Sequence, residues 1–245
     1  MIDHYSVHEL IPLISWEHFF FTWHVKSDTD EAARLRTDAE QLLQEESASL
    51  DVRFLFQPFE AHSDGDDILL GETRIPFLRQ QIPNAEGYCV CVSDFVHPVH
   101  DEVSVFATSV QQTRPYEESD PYRSLLIQTI SDRLAEAAAE RLQQQFVESG
   151  RANTPQVIRP AVGYPMMPDM SINFLLNELF DLSRIGIQLT ESGMMRPHAS
   201  VSGLMIANPH ACYFSVGPIS EEQLVDYARR RRYSVEQMKK FIAGI

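Results

Sequence analysis

The longest regular pattern in this chain is a row of apolar residues that repeats at every fourth position within residues 124–146. Its members are Leu126, Ile130, Leu134, Ala138, Leu142 and Phe146. Residues four apart lie on the same face of an α-helix, so this row predicts one long amphipathic helix. A second row is acidic, Asp132, Glu136 and Glu140, and alanines surround Glu136. Such a row is usually a solvated face, but small neighbours also let a ligand or another backbone come close.

Shorter patterns predict the elements around this helix. The predicted helices are residues 28–47, 171–185 with a stop at Gly186, and two C-terminal helices that begin with capping residues Ser220 and Ser234. The predicted strands are residues 52–59, 87–96, 101–110, 187–190, 199–207 and 212–219, with 87–96 and 101–110 forming an antiparallel pair. Pro58 is expected to end its strand or to confine it to a sheet edge. Together these elements indicate a mixed α/β protein.

The charge balance excludes several classes of partner. The 245 residues carry 20 Lys and Arg against 35 Asp and Glu, a formal net charge of −15. Such a surface repels nucleic-acid backbones and anionic membranes, so we expect neither as a partner. The apolar stretch 13–25 is too short for a bilayer span and is interrupted by Glu17 and His18. Three cysteines make no paired disulfide framework, and together with the lack of a secretion leader this predicts a cytoplasmic protein.

Motifs for the common cofactors and metals are missing from the sequence. It has no GxGxxG, P-loop, nucleophile elbow or HExxH segment. Residues 62–67 hold three aspartates around Gly65 but lack the ligand spacing of a calcium loop, so we expect a hairpin turn and no metal. The four arginines 229–232 form either a solvated helix end or a docking patch for an acidic partner.

The most unusual segment is Arg159-Pro-Ala-Val-Gly-Tyr-Pro-Met-Met-Pro-Asp169, which three prolines and a glycine make a stiff, extended loop. It resembles the Arg-Pro-Ala-Pro-Gly-Tyr-Pro segment of the activation (reactivation) domain of cobalamin-dependent methionine synthase. Further segments resemble that family in the same order along the chain: residues 16–23, 65–68, 77–81, 93–96, 132–137, 189–192, 199–203 and 226–230.

The resemblance implies a fold and a function. The fold is a single C-shaped α+β domain over residues 1–245, with a central antiparallel sheet and flanking helices. The function is that of a stand-alone reactivation component, an accessory domain of a methyltransferase system. It binds S-adenosylmethionine and supports reductive methylation of cob(II)alamin on a separate cobalamin-binding methionine synthase subunit, with a flavodoxin-like electron donor. Cobalamin itself is reached only through that partner. Whether this chain is itself an enzyme stays open.

The resemblance also implies a ligand site without catalytic residues of its own. Arg159 would hold the ligand carboxylate, Glu136 would accept from its ribose or amino group, and the backbone at Ala161 and Gly163 would make polar contacts. The aromatic rings of Tyr164 and Tyr213 would line the groove.

Three positions depart from the family pattern. Ser15 stands where the family has an aspartate, Met170 where it has a histidine, and His198 where it has a glycine. Ser15 would form a weaker, neutral contact with the ligand. The first two departures motivate an alternative function, an interaction module that does not bind the ligand and that caps or escorts a corrinoid protein.

Overall fold

The computed structural model describes residues 3–114, 120–152 and 154–242. The strands are β1 Asp3–Tyr5, β2 Leu50–Asp64, β3 Asp67–Leu70, β4 Thr73–Pro76, β5 Asp101–Gln112, β6 Val157–Ile158, β7 Gln188–Leu189, β8 Met195–Arg196 and β9 Ser200–Ala207. The α-helices are α1 Val7–Leu10, α2 Trp16–Thr22, α3 Asp30–Glu46, α4 Pro121–Glu148, α5 Ile172–Phe180, α6 Glu221–Arg231 and α7 Val235–Phe241. Short 3-10 turns cover Ile11–Leu13, Val92–Phe95 and Leu182–Ile185.

An antiparallel sheet in the order β4-β3-β2-β5-β9-β6 forms the centre of the protein, with β1 beside β2 and β7 paired with β8 apart from it. Strand β2 continues through Pro58, so the prediction that the strand ends there is wrong. On the side away from β5, β2 pairs with β1 at residues 52–54 and with β3 at residues 61–64. Pro58 lies between these pairings, on a locally open edge that tolerates proline.

Helix α4 lies across one face of the sheet, as its apolar row predicts. All six members of that row are buried, and they pack with the buried faces of α1, α2 and α3. The Thr108 hydroxyl of β5 donates to the Ala135 carbonyl of α4 at 2.9 Å. A second apolar core joins the rest of the sheet to α5 and to residues 162–167. The α+β fold with a central antiparallel sheet and flanking helices is therefore confirmed.

The predicted strand 87–96 is wrong. Of this segment only Cys91 forms a bridge, with Arg79, and a 3-10 turn follows it. The Asp94 carboxylate accepts the Cys91 N–H at 2.8 Å and forms an ion pair with Arg79 at 2.7 Å. Because a side chain already accepts the backbone N–H of Cys91, the alternating apolar pattern does not form a strand here.

Two other predicted elements differ in a similar way. Residues 212–219 form no strand, because their backbone bonds to a loop and to a side chain. The Val216 N–H donates to the Pro165 carbonyl, and the Ser215 carbonyl accepts from the Gln80 side chain, both at 2.9 Å. The helix predicted for 171–185 ends at Phe180, because Asp181 takes a left-handed conformation with φ of 53°. A 3-10 turn completes the segment up to Gly186.

The predicted hairpin turn and the two predicted helix caps are confirmed. Residues 64–67 form the β2–β3 hairpin turn, with Gly65 at φ of 60°. Ser220 and Ser234 cap α6 and α7 by accepting the N–H groups of Gln223 and Gln237.

Within the ranges that the structure describes, no helix is long and apolar enough to cross a membrane. In the same ranges, no group of His, Cys, Asp or Glu side chains is arranged to hold a metal ion.

Candidate functional site

The loop after β6 is held against β9 and thereby placed beside α4. The Leu204 N–H donates to the Pro160 carbonyl at 3.0 Å, and the Val162 N–H donates to the Ser202 carbonyl at 2.9 Å. Between these bonds, a Cβ at Gly203 would lie 2.1 Å from the Pro160 oxygen, so glycine is needed for this close approach. Backbone contacts with β9 therefore fix the position of residues 160–162.

Arg159 extends from this loop along α4, and its side chain is only 15% exposed. Its Nη2 lies 3.3 Å from Glu140 Oε2, and its Nη1 lies 3.5 Å from the Glu136 carbonyl oxygen. Its Nε is buried and has no hydrogen-bond partner among the described residues. The Arg159 backbone N–H donates to the Tyr213 hydroxyl at 2.8 Å. A guanidinium has five N–H donors, so this one keeps unused hydrogen-bonding capacity.

Tyr164 and Glu136 form a second polar pair across the same space. The Tyr164 hydroxyl donates to Glu136 Oε1. Partial burial and the negative charge of Glu136 raise the pKa of Tyr164 well above its ordinary value, so the hydroxyl stays protonated at neutral pH. Glu136 Oε2 accepts no hydrogen bond from the described residues.

These side chains border two adjoining cavities of about 480 Å³ and 340 Å³. The larger is lined by Glu136, Arg159, Pro160, Ala161, Tyr164, Pro165, Met166, Tyr213, Phe214 and Ser215. The smaller is lined by Leu13, Ser15, His18, Arg133, Glu136, Ala137, Glu140, Arg159 and Tyr164. We call the two cavities together the Arg159 groove. Apolar walls with a few convergent polar groups, at this volume, are typical of a small-molecule site.

The structure brings together six of the seven residues that the sequence predicts for the site. Glu136, Arg159, Ala161, Tyr164 and Tyr213 line the larger cavity, and Ser15 lines the smaller one. The Ser15 hydroxyl lies 2.7 Å from His18 Nδ1.

Gly163 is not among the lining residues. It has φ of +86°, and a Cβ there would lie 2.6 Å from Met170 Sδ, so this glycine serves the turn and its packing against Met170. Met170 thus packs behind the loop, with its N–H donating to the Phe241 carbonyl. His198, the other departure from the family pattern, lies 3.0 Å from Asp132 and lines a separate cavity with it.

Sequence reasoning missed several lining residues. Glu140 had a signal, because it shares a helix row with Glu136, whereas Leu13 and His18 reach the groove only through the packing of the N-terminal segment against α4.

Both interpretations of the basic run 229–232 are wrong for its central residues. Arg231 is buried, with its Nε 3.1 Å from Asp169 and its Nη2 2.8 Å from the Ser171 hydroxyl. Arg230 forms ion pairs with Asp67 and Asp226. The side chain of Arg229 is 74% exposed and pairs with Asp226. Tertiary packing turns two of the four charges inward.

Comparison with known proteins decides the family. The family described as "Vitamin B12 dependent methionine synthase, activation domain" matches residues 6–232. The chain belongs to this family. Among solved structures, this activation domain is similar to a crystal structure of the MetH reactivation domain bound to AdoHcy. The two share 30% sequence identity with a TM-score of 0.85, and the match covers 98% of this chain and 88% of the other. The activation-domain fold predicted from the sequence is confirmed.

Proposed function

We propose that this activation domain, acting as one unit over residues 1–245, binds S-adenosylmethionine in the Arg159 groove. There it supports reductive methylation of cob(II)alamin on a separate cobalamin-binding methionine synthase subunit. The observation that carries the proposal is the convergence of Glu136, Arg159, Tyr164 and Tyr213 on one groove. The similar MetH domain is bound to AdoHcy, which is S-adenosylmethionine without the transferred methyl group.

The chemistry of the groove fits the ligand. S-adenosylmethionine carries a carboxylate, and Arg159 has an unpartnered Nε and two long contacts, so it retains donors for that anion. Glu136 is placed to accept from a ribose hydroxyl or an amino group. Tyr213 and Phe214 with Pro160 and Pro165 provide walls for the adenosine.

The residues of this domain bind and orient the methyl donor, and we assign none of them a catalytic role. The cobalamin of the partner supplies the nucleophile, and a flavodoxin-like donor supplies the electron. The domain contributes by holding the sulfonium methyl group at a fixed position and orientation, which lowers the entropic part of the barrier.

Calorimetric titration with S-adenosylmethionine tests the binding. We expect saturable binding to the wild-type domain and a loss of at least about tenfold in affinity for Arg159→Ala, since a charge-assisted contact is removed. Arg141→Ala is a matched control, because Arg141 lies on α4 and contacts Glu148 away from the groove. Absence of heat at millimolar ligand, or an equal loss in both variants, would contradict the proposal.

One observation supports the alternative function, an interaction module that caps or escorts a corrinoid protein without binding the ligand. Ser15 is neutral, and its hydroxyl already contacts His18. Co-elution with a separately expressed cobalamin-binding subunit distinguishes the two. A reactivation component forms the complex more strongly with S-adenosylmethionine present, whereas an escort module forms it equally well without. The same experiment tests whether the domain acts on a separate subunit.

A further inference from the structure

Glu140 is a groove residue to which neither the sequence nor the family comparison gives a role. It lies one helical turn after Glu136 on α4 and lines the smaller cavity. Its side chain is 43% exposed, and its one described contact is with Arg159 at 3.3 Å. Charge-assisted N–H···O bonds are usually about 2.7–2.9 Å long, so this pair is loosely held.

The α-amino acid group of S-adenosylmethionine has its carboxylate and its ammonium on the same carbon. A matching site therefore needs a cation and an anion side by side. Arg159 Nη2 and Glu140 Oε2 form such a pair at the wall of the cavity. The Nε of Arg159, which is buried and has no hydrogen-bond partner among the residues that the structure describes, is a further donor for the carboxylate, and Glu140 does not use it.

The other groups around the smaller cavity are less suited to the ammonium. Glu136 Oε1 already accepts the Tyr164 hydroxyl, and because Glu136 also lines the larger cavity, its Oε2 is available there for the ribose. Ser15 carries no charge, and its hydroxyl contacts His18. Glu140 is thus the carboxylate of this cavity that is free of a short hydrogen bond from the described residues.

The charges around the smaller cavity also favour Glu140 as the acceptor of the ammonium. Arg133 and Arg159 balance Glu136 and Glu140, so these four side chains have no net charge together. Neutralising Glu140 would leave a net positive site. S-adenosylmethionine carries a sulfonium and an ammonium against one carboxylate, and a positive site repels it.

We propose that Glu140 accepts the α-ammonium of S-adenosylmethionine while Arg159 holds the α-carboxylate, the two forming a subsite for the amino acid end of the ligand. This inference rests on the proposed function. Glu140 thus provides a carboxylate for the ammonium in the smaller cavity, where Ser15 carries no charge.

The test compares ligands with and without the amino acid group in Glu140→Gln. Calorimetric titrations use S-adenosylmethionine, S-adenosylhomocysteine and 5′-methylthioadenosine, the last of which keeps the adenosine and the sulfur but lacks the amino acid. We expect about tenfold or greater weakening for the first two ligands, because a hydrogen bond to a charged group is lost. Affinity for 5′-methylthioadenosine should be unchanged. Glu148→Gln, on the same helix and paired with Arg141, is the matched control and should bind all three as wild type does.

Two outcomes overturn the inference. Unchanged or tighter S-adenosylmethionine binding by Glu140→Gln would mean that Glu140 only competes with the ligand for Arg159. Equal weakening of all three ligands would mean a general effect on the groove. If Glu140→Gln does not fold, Glu140→Ala, which also removes the carboxylate, provides the same comparison. Failure of the wild-type domain to bind S-adenosylmethionine would instead contradict the proposed function.

Discussion

Two sites in this protein combine an arginine, a tyrosine and a carboxylate, and they differ in how completely these groups are bonded. In the first, buried Asp169 accepts from the Tyr227 hydroxyl at 2.8 Å and from Arg231 Nε at 3.1 Å. Its other oxygen accepts the Ser171 N–H at 2.8 Å. This cluster ties α6 to the end of the loop that begins at Arg159.

The second site, the Arg159 groove, uses the same groups less completely. The contacts of Arg159 with α4 are 3.3 and 3.5 Å long, and its Nε has no partner in the described part of the chain. Tyr164 is 47% exposed, whereas Tyr227 is 1% exposed. Buried polar groups normally find their hydrogen-bond partners inside the protein. The complete cluster is therefore structural, and the incomplete one beside a cavity is suited to a ligand.

The largest expected effect on stability is at the complete cluster. Arg231→Ala leaves Asp169 buried without its cation, and we expect the free energy of unfolding to fall by about 3–5 kcal/mol. Urea denaturation followed by circular dichroism measures it. Arg229→Ala, two positions earlier in α6 and exposed, should change it by no more than about 0.5 kcal/mol. Similar values for the two variants would remove the distinction between the sites.

Gly203→Ala tests the rigid part of the groove. The new Cβ would lie 2.1 Å from the Pro160 oxygen and 2.9 Å from Ala161 Cα, so the groove wall has to shift. We expect a loss of about 1–3 kcal/mol in the free energy of unfolding, together with weaker S-adenosylmethionine binding. Gly71→Ala is the control, since open space surrounds Gly71 and the cost there comes only from its left-handed backbone, with φ of 57°. It should lower stability without changing ligand affinity.

Arg159→Ala should separate binding from stability. Its partner Glu140 is partly exposed, so water can replace the lost contact. We expect the free energy of unfolding to change by less than about 1 kcal/mol, although ligand affinity falls. Chemical denaturation and calorimetry on the same preparation give both values. A stability loss as large as that of Arg231→Ala would show that Arg159 too is a structural residue.

The smallest expected effect is the contribution of Tyr164 to the stability of the folded protein at alkaline pH. The unfolded chain releases the tyrosine proton near its ordinary pKa of about 10, whereas burial and Glu136 keep the pKa of Tyr164 higher in the folded protein. Its stabilising contribution is thus complete below pH 10 and is lost as the pH rises above 10. Denaturation at pH 8 to 11 should show a shallower decline for Tyr164→Phe than for the wild type. Tyr213→Phe is the comparison variant, because it removes a tyrosine hydroxyl of the same groove that contacts the Arg159 N–H instead of Glu136; an identical decline in all three proteins would contradict the assignment.

Local patterns predicted the elements that depend on local contacts. The apolar row of α4 and the caps Ser220 and Ser234 act within a few residues, so their positions follow from the chain alone. Segment 212–219 was predicted wrongly because its backbone bonds to the distant groups Gln80 and Pro165. Segment 87–96 was predicted wrongly because the Asp94 side chain accepts the Cys91 N–H.

The sequence by itself predicted the central helix from its periodicity and the family from its motifs, and the resemblance to that family implied six residues that line the groove. Only the tertiary structure decided what each charge does. It turned Arg231 inward to Asp169, left Arg159 with unused donors beside a cavity, and brought Ser15 and His18 to Glu140 across more than a hundred residues of chain. The physical reason is that a side chain's desolvation and its hydrogen-bond partners depend on contacts between distant segments, which a local pattern does not contain.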